Sequence, residues 1–300
     1  MHRYLKAIGF SQVFSSQKEI DDFLDEIYQT CDQRAAFREP DGGRAFMEVS
    51  RSFGPGIGIR VCGELDGSGF HRQYYYPYLQ GAGVTTEEEV TVEMLASGGG
   101  YAGMCDDGRV GISLIYYVQN PVDYRRFSHS GQIRVPLKST TFSALSLDGM
   151  ILLPGKKPEK GNKAERKEYY THHDSLVSAA KNGSQEAIES LTVEDMDTYA
   201  MLSRRIQNED ILTIIDTYFM PFGLECDQYQ IMGEIQFYAK VQNTRTRENL
   251  YQMTIDCNGL LFDLCINEKD LLGVPEVGRR FKGNIWLQGK LNIPGPTQII

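Results

Sequence analysis

The chain has 300 residues, of which 41% are hydrophobic and 24% charged, enough apolar content to bury a substantial core. A formal net charge of −9 and a pI of about 5.2 weigh against nonspecific binding to nucleic acid or anionic membrane surfaces. No apolar run reaches the roughly 20 residues that span a bilayer, and the opening MHRYLKAIGFSQVFSSQKEI has no uninterrupted signal-peptide core, so a cytoplasmic protein is expected.

In chain order, Ser16 is placed to cap a helix in which Ile20, Phe23, Leu24, Ile27 and Tyr28 recur at helical spacing. A polar loop is expected after Cys31, through Pro40, Gly42 and Gly43. From Phe46 to about Leu153 the texture is that of a mainly antiparallel sheet. Strands are predicted at 57–64, 70–79, 89–95 and 110–118, and a further pair within 140–153 turns at Asp148-Gly149.

The interval 154–168, PGKKPEKGNKAERKE, reads as a basic, solvated linker running into a helix. A helical block is predicted over 169–223. Ser184, Thr192 and Asn208 are its internal caps, the last helix runs to about Phe219, and Pro221 and Gly223 end it. From 224 to 300 the pattern is β again, with strands at 229–241, 250–257, 260–266 and 282–291. Asn258-Gly259 is a strong tight-hairpin signal. The fold class is therefore α+β, in four parts: an α+β domain over 1–153, the linker, the helical block, and a small β domain over 224–300 that is barrel-like or a compact sheet.

Six cysteines (Cys31, Cys62, Cys105, Cys226, Cys257 and Cys265) are scattered with none at CxxC spacing. They read as reduced small apolar residues, and neither disulfides nor a structural zinc site is expected. The stretch SGGGYAGMCDDGRVGISLIYY, residues 97–117, looks chemical at first sight. No lysine follows its glycines, as a phosphate loop requires, and they precede a strand where a dinucleotide motif would open a helix. A hairpin turning at Asp106-Asp107-Gly108 is the preferred reading, with Cys105 buried at the end of its first strand. His172-His173-Asp174 point about 100° apart on a helix and cannot easily share an ion. Glu87-Glu88-Glu89 reads as a solvated strand edge. No cofactor is implied.

Two features point outward. In YYYPY, Tyr74, Tyr76 and Tyr78 alternate on one side of a strand and could stack on a ligand or partner if exposed, although a buried structural role is the commoner outcome. Near the C-terminus, RRFKGNIWLQGKL carries Arg280, Lys282 and the single Trp286, a basic and aromatic combination of the kind used by nucleic-acid-binding barrels. The acidic residues of the same region offset its charge, so nucleic acid is the weaker reading.

Several stretches together resemble a family of bacterial proteins, from anaerobic Gram-positive organisms, known as a domain of unknown function. They are MHRYLKAIGFS, YYYPY, GMCDDGRVGISLIYYVQN, the run from AAKNGSQEAIESL to PFGLECDQY, and VGRRFKGNIWLQG. The resemblance covers most of the chain. It implies a bacterial cytoplasmic setting and brings no catalytic residue, cofactor or substrate. The leading expectation is a non-enzymatic binding or regulatory protein with a protein or small-molecule partner. Its candidate surface comprises Tyr74, Tyr76, Tyr78, Arg280, Lys282 and Trp286. The alternatives are an enzyme assembled from distant residues around His71 and Cys105, and single-stranded nucleic-acid binding by the C-terminal β domain.

Overall fold

The structure is a computed structural model that describes residues 2–11, 13–38, 44–96, 98–129, 136–154 and 216–293, together with 179, 184–187, 189 and 190. Its architecture is mixed α and β, mostly β with few helices.

A short 3-10 turn over Arg3–Ile8 leads into α1, Gln17–Gln29. Ser16 caps α1 as expected: its hydroxyl accepts from the Glu19 amide at 3.3 Å, and Glu19 reaches back to the Ser15 amide at 2.8 Å. Strands β1 (Gln33–Arg38), β2 (Ala45–Gly54), β3 (Ile57–Asp66) and β4 (Gly69–Leu79) form an antiparallel four-stranded meander. The loop expected after Cys31 thus contains strand β1. Its mostly exposed edge position gives it little apolar alternation to detect.

The second sheet contains β5 (Thr91–Met94), β6 (Tyr101–Asp107), β7 (Ile112–Val118), β8 (Thr140–Leu152), β9 (Tyr218–Pro221), β10 (Gln228–Gln242), β11 (Asn249–Cys257), β12 (Leu260–Asn267), β13 (Leu271–Leu272) and β14 (Arg280–Leu291). Five of these, β8, β12, β11, β10 and β14, close on themselves as a barrel, because β14 pairs antiparallel with both β10 and β8 while β8 runs parallel to β12. Beyond the barrel, β14 continues into β7, β6 and β5. The sheet therefore runs across the expected boundary at 154–168 without a break in hydrogen bonding: β8 lies on one side of it in sequence and β14 on the other.

Closure explains a correction at Asp148-Gly149. The predicted turn is absent and β8 is one continuous strand. A Cβ on Gly149 would lie 2.4 Å from the Phe281 ring, so glycine here lets that ring fill the narrow interior. The Asp148 carboxylate is taken up by the Asn284 amide at 3.0 Å, next to a one-residue register shift in the β8–β14 ladder. By contrast, Asn258-Gly259 is a tight two-residue hairpin between β11 and β12, with both residues at positive φ, 56° and 83°.

Two further corrections concern helices. The last predicted helix does not run to Phe219, since Tyr218–Pro221 is strand β9 paired with β10. The rest of the 169–223 helical block, including His172, His173 and Asp174, lies outside the described residues apart from 179, the few around 184–190 and the residues flanking β9. Conversely, α2 (Pro121–His129) is an unpredicted helix with Val122 and Phe127 buried.

Two cores result. One is the barrel interior and the adjoining face of β6 and β7, with Ile231, Ile235, Ile255, Leu264, Phe281 and Ile285 at its centre. The other lies between the barrel's outer wall and the four-stranded sheet. Into it pack Leu24 and Ile27 of α1, Leu5 and Ile8 of the first turn, and Leu145, Cys265 and Trp286 from the barrel wall. Burial of this kind stabilises by roughly 25 cal/mol per Å² of apolar surface, so both layers hold the structure together.

Candidate functional site

The tyrosines of β4 share a side of the strand, but that side is inward. Tyr76 is 1% exposed, and its hydroxyl donates to the Gln119 carbonyl at 2.9 Å. Tyr78 lies beneath the Arg60 guanidinium, 5.3 Å from its ring centre, and Tyr74 packs between Phe46 and Tyr76. The row is therefore packed rather than exposed, the commoner of its two expected outcomes, because the N-terminal turn and the barrel strands β8 and β12 cover β4.

Arg280 is likewise buried at 5% exposure, with Nε donating to the Leu153 carbonyl at 3.0 Å. Lys282 is half-buried. Six residues of strand separate Arg280 from Trp286, about 20 Å at the usual rise, so these residues form no common basic and aromatic patch. His71 is an exposed residue near the start of β4, 2.7 Å from Ser68 and 3.1 Å from Asp66 at the β3–β4 turn. Cys105 is on β6 in the other sheet, buried against the barrel-side core, and burial pushes its thiol up to about 12. A thiol held protonated is a poor nucleophile, and the two residues do not converge. Among the described residues no group of three or more His, Cys, Asp or Glu could hold a metal ion, and no helix is long and apolar enough to cross a membrane.

The structure does gather chemistry around Trp286. A cleft of about 500 Å³ is lined by His2, Arg3 and Tyr4 from the N-terminal turn, Tyr117 from β7, Leu95 and Gly99 from the β5–β6 loop, residues 224–227 before β10, and Trp286 from β14. Tyr4 stacks on Trp286 with ring centres 5.0 Å apart and planes 26° apart. His2 and Tyr117 approach the same indole at 4.9 and 5.2 Å. Trp286 Nε1 donates to the Asp227 carboxylate at 2.7 Å.

The N-terminal segment is held there by side chains far along the chain. Asn243 Nδ2 donates to the Ile8 carbonyl at 2.7 Å, the Thr246 hydroxyl to the Gly9 carbonyl at 2.7 Å, and the His2 amide to the Tyr75 hydroxyl at 3.0 Å. The glycine run supplies the opposite wall. The Tyr117 hydroxyl donates to the Gly99 carbonyl at 2.7 Å, and a Cβ on Gly100 would lie 2.3 Å from that hydroxyl oxygen. Gly100 also has φ 131°, a conformation that favours glycine. The β6–β7 hairpin itself is as expected, although its turn falls at 108–111.

Two polar groups in the cleft stand out. Burial raises the Asp227 carboxyl above its ordinary value, with neighbouring Glu225 adding to the effect. No ion pair joins Asp227 among the described residues. His2 is pushed down to about 4, first by burial and then by the Arg3 charge, so its imidazole is neutral at physiological pH. Its Nδ1 is shielded from solvent and has no hydrogen-bond partner. Arg3 is occupied, 2.8 Å from Glu225 at the exposed mouth.

Of these residues only Trp286 was anticipated as a site residue. His2, Tyr4, Tyr117 and Asp227 carried no local signal, since positions 2, 117, 227 and 286 meet only through the fold. The uniqueness of the tryptophan was the one available pointer.

One family match covers the four-stranded sheet, nearly all of the second sheet and the cleft lining apart from His2, Arg3 and Tyr4. The model described as "Domain of unknown function, E. rectale Gene description (DUF3881)" matches residues 5–289, and the chain belongs to that family. No curated protein and no solved structure matches it significantly.

Proposed function

We propose that this chain is a non-enzymatic binding or regulatory protein of the bacterial cytoplasm, and that the cleft beside Trp286 holds a small-molecule ligand. One observation carries the reading. An aromatic-walled cleft assembled from five separate segments retains a half-buried carboxylate with no ion-pair partner among the described residues and a buried imidazole nitrogen without a hydrogen-bond partner. Buried polar groups are ordinarily satisfied, because an unmade hydrogen bond leaves desolvation uncompensated. Ligand sites are where such groups are retained, few in number on a mostly apolar wall. The absence of disulfides among the six cysteines supports the reducing compartment.

The chain supplies its own reporter, since Trp286 is the single tryptophan. A small-molecule library screened against the purified full chain should yield ligands that alter Trp286 emission saturably and raise the unfolding temperature. Ligands that raise it without altering Trp286 emission would place the binding site elsewhere.

A further inference from the structure

The polar groups of this cleft also select among ligands. We infer that the ligand is an organic cation with N–H donors, an amine or a guanidine carried on an apolar body. The inference rests on the cleft being a ligand site.

The charges are few and can be followed individually. Arg3 and Glu225 neutralise one another at the mouth, 2.8 Å apart, with side chains 52% and 64% exposed. Asp227 is left as the carboxylate of the cleft with no ion pair among the described residues, Arg3 acting on it only as the last of the effects that move its carboxyl. Among the described residues its carboxylate receives one side-chain hydrogen bond, from Trp286 Nε1, which leaves acceptor capacity for a further donor. An anionic ligand would meet both acidic groups. A neutral ligand would dehydrate Asp227 further and give it no opposing charge. A cation offsets that charge directly through a short, charge-assisted hydrogen bond.

The walls agree with this choice. Tyr4, Tyr117 and Trp286 pack on one another in the wall that Asp227 joins, and the Arg3 guanidinium already lies over the Tyr4 ring at 5.0 Å, so the wall is of a kind that accepts a cation, an attraction of about 0.5–2 kcal/mol. His2 adds the donor requirement. Its imidazole is neutral and its Nδ1 has no partner; that atom is shielded from solvent as the ring stands, so a turn of the ring towards the cleft lets it accept one N–H from the ligand. A quaternary ammonium would satisfy the rings and leave both acceptors unmade. Leu95 and the ring edges remain for the apolar body.

The test uses the full chain and Trp286 emission. Benzylammonium and phenylguanidinium are titrated beside benzyl alcohol and benzoate, which keep the ring and change only the charged group. At least one of the two cations should bind saturably, with benzyl alcohol weaker by about tenfold or more and benzoate weaker still; tenfold corresponds to about 1.4 kcal/mol. In Asp227→Asn the preference for the cation over the alcohol should collapse to near unity. Equal or tighter binding of the alcohol or benzoate overturns the cation assignment and leaves the cleft as a ligand site. No response of either Trp286 emission or unfolding temperature to any of the four compounds overturns the cleft as well. The wild-type comparison decides the matter even if the variant does not fold.

Discussion

The barrel interior and the layer outside its wall are built from the same strands in opposite ways. Inside, alternate residues are mostly apolar, with Ser146 opposite Ile285 an exception, and close approaches are made by glycine against aromatic rings, as with Gly149 and Phe281. Outside, the layer that also contains Trp286 holds charge. Glu48 is 8% exposed and faces Arg60 at 3.4 Å. Arg60 also donates to the Gln119 carbonyl, and Gln119 is linked to Gln288 at 2.8 Å. Burial raises the Glu48 carboxyl despite the arginine beside it. A closed interior can be satisfied by shape alone. A layer joining two sheets also needs directional bonds to fix their register, and it leaves some unmade, at His2 Nδ1 in the cleft lining and also at Arg60 Nε and the Tyr74 hydroxyl outside it.

Four measurements sharpen or break this contrast. The largest effect belongs inside the barrel. Phe281→Ala should destabilise the chain by about 3–5 kcal/mol in denaturant unfolding, because the rigid walls at Gly149 and Gly283 cannot close over the cavity. A loss below about 1 kcal/mol would mean that the interior is adaptable. In the outer layer, Arg60→Met alone should lose about 3 kcal/mol by leaving Glu48 buried and unpaired, whereas Arg60→Met with Glu48→Gln should lose markedly less. Additive losses would show that the two side chains do not act as a pair.

The smallest effects belong to the cleft and have opposite signs. His2 is depressed in the folded state, from 6.5 to about 4, so the unfolded chain takes up a proton first. Stability is then lost as pH falls from about 6.5 towards 4, by up to roughly 2 kcal/mol at about pH 5, and His2→Phe should remove that loss. Asp227 is raised, so its ionised form opposes folding at neutral pH and protonation relieves the penalty as pH falls through its raised value. Asp227→Asn should therefore raise stability near neutral pH, by about 1 kcal/mol or less. A clear loss in that variant would make the carboxylate a structural partner of Trp286 and remove the main support for the cleft as a site.

Legibility followed the range of the signal. The α1 cap at Ser16, the Asn258-Gly259 hairpin, the alternation of β3 and β4 and the dense apolar run of β7 were readable because each depends on residues within a few positions. Strand β9 was read as the end of a helix because four residues are too few to show a period of two against one of 3.6. Asp148-Gly149 was read as a turn because turn chemistry and a glycine beneath a ring look the same in sequence. YYYPY was correctly placed on a strand with three tyrosines on one side, and alternation alone does not say which side faces solvent.

The sequence by itself determined the mostly antiparallel β content, the first helix, the tight hairpins and the family. Repeated side-chain spacing and backbone preference act locally and leave a mark at every position they govern. The tertiary structure alone decided that β8 and β14 close a barrel across the 154–168 interval, that the β4 tyrosines face inward, and that His2, Tyr117, Asp227 and Trp286 share one cleft. Those outcomes depend on which apolar surfaces meet after the strands have formed, and no stretch of the chain carries both halves of such a contact.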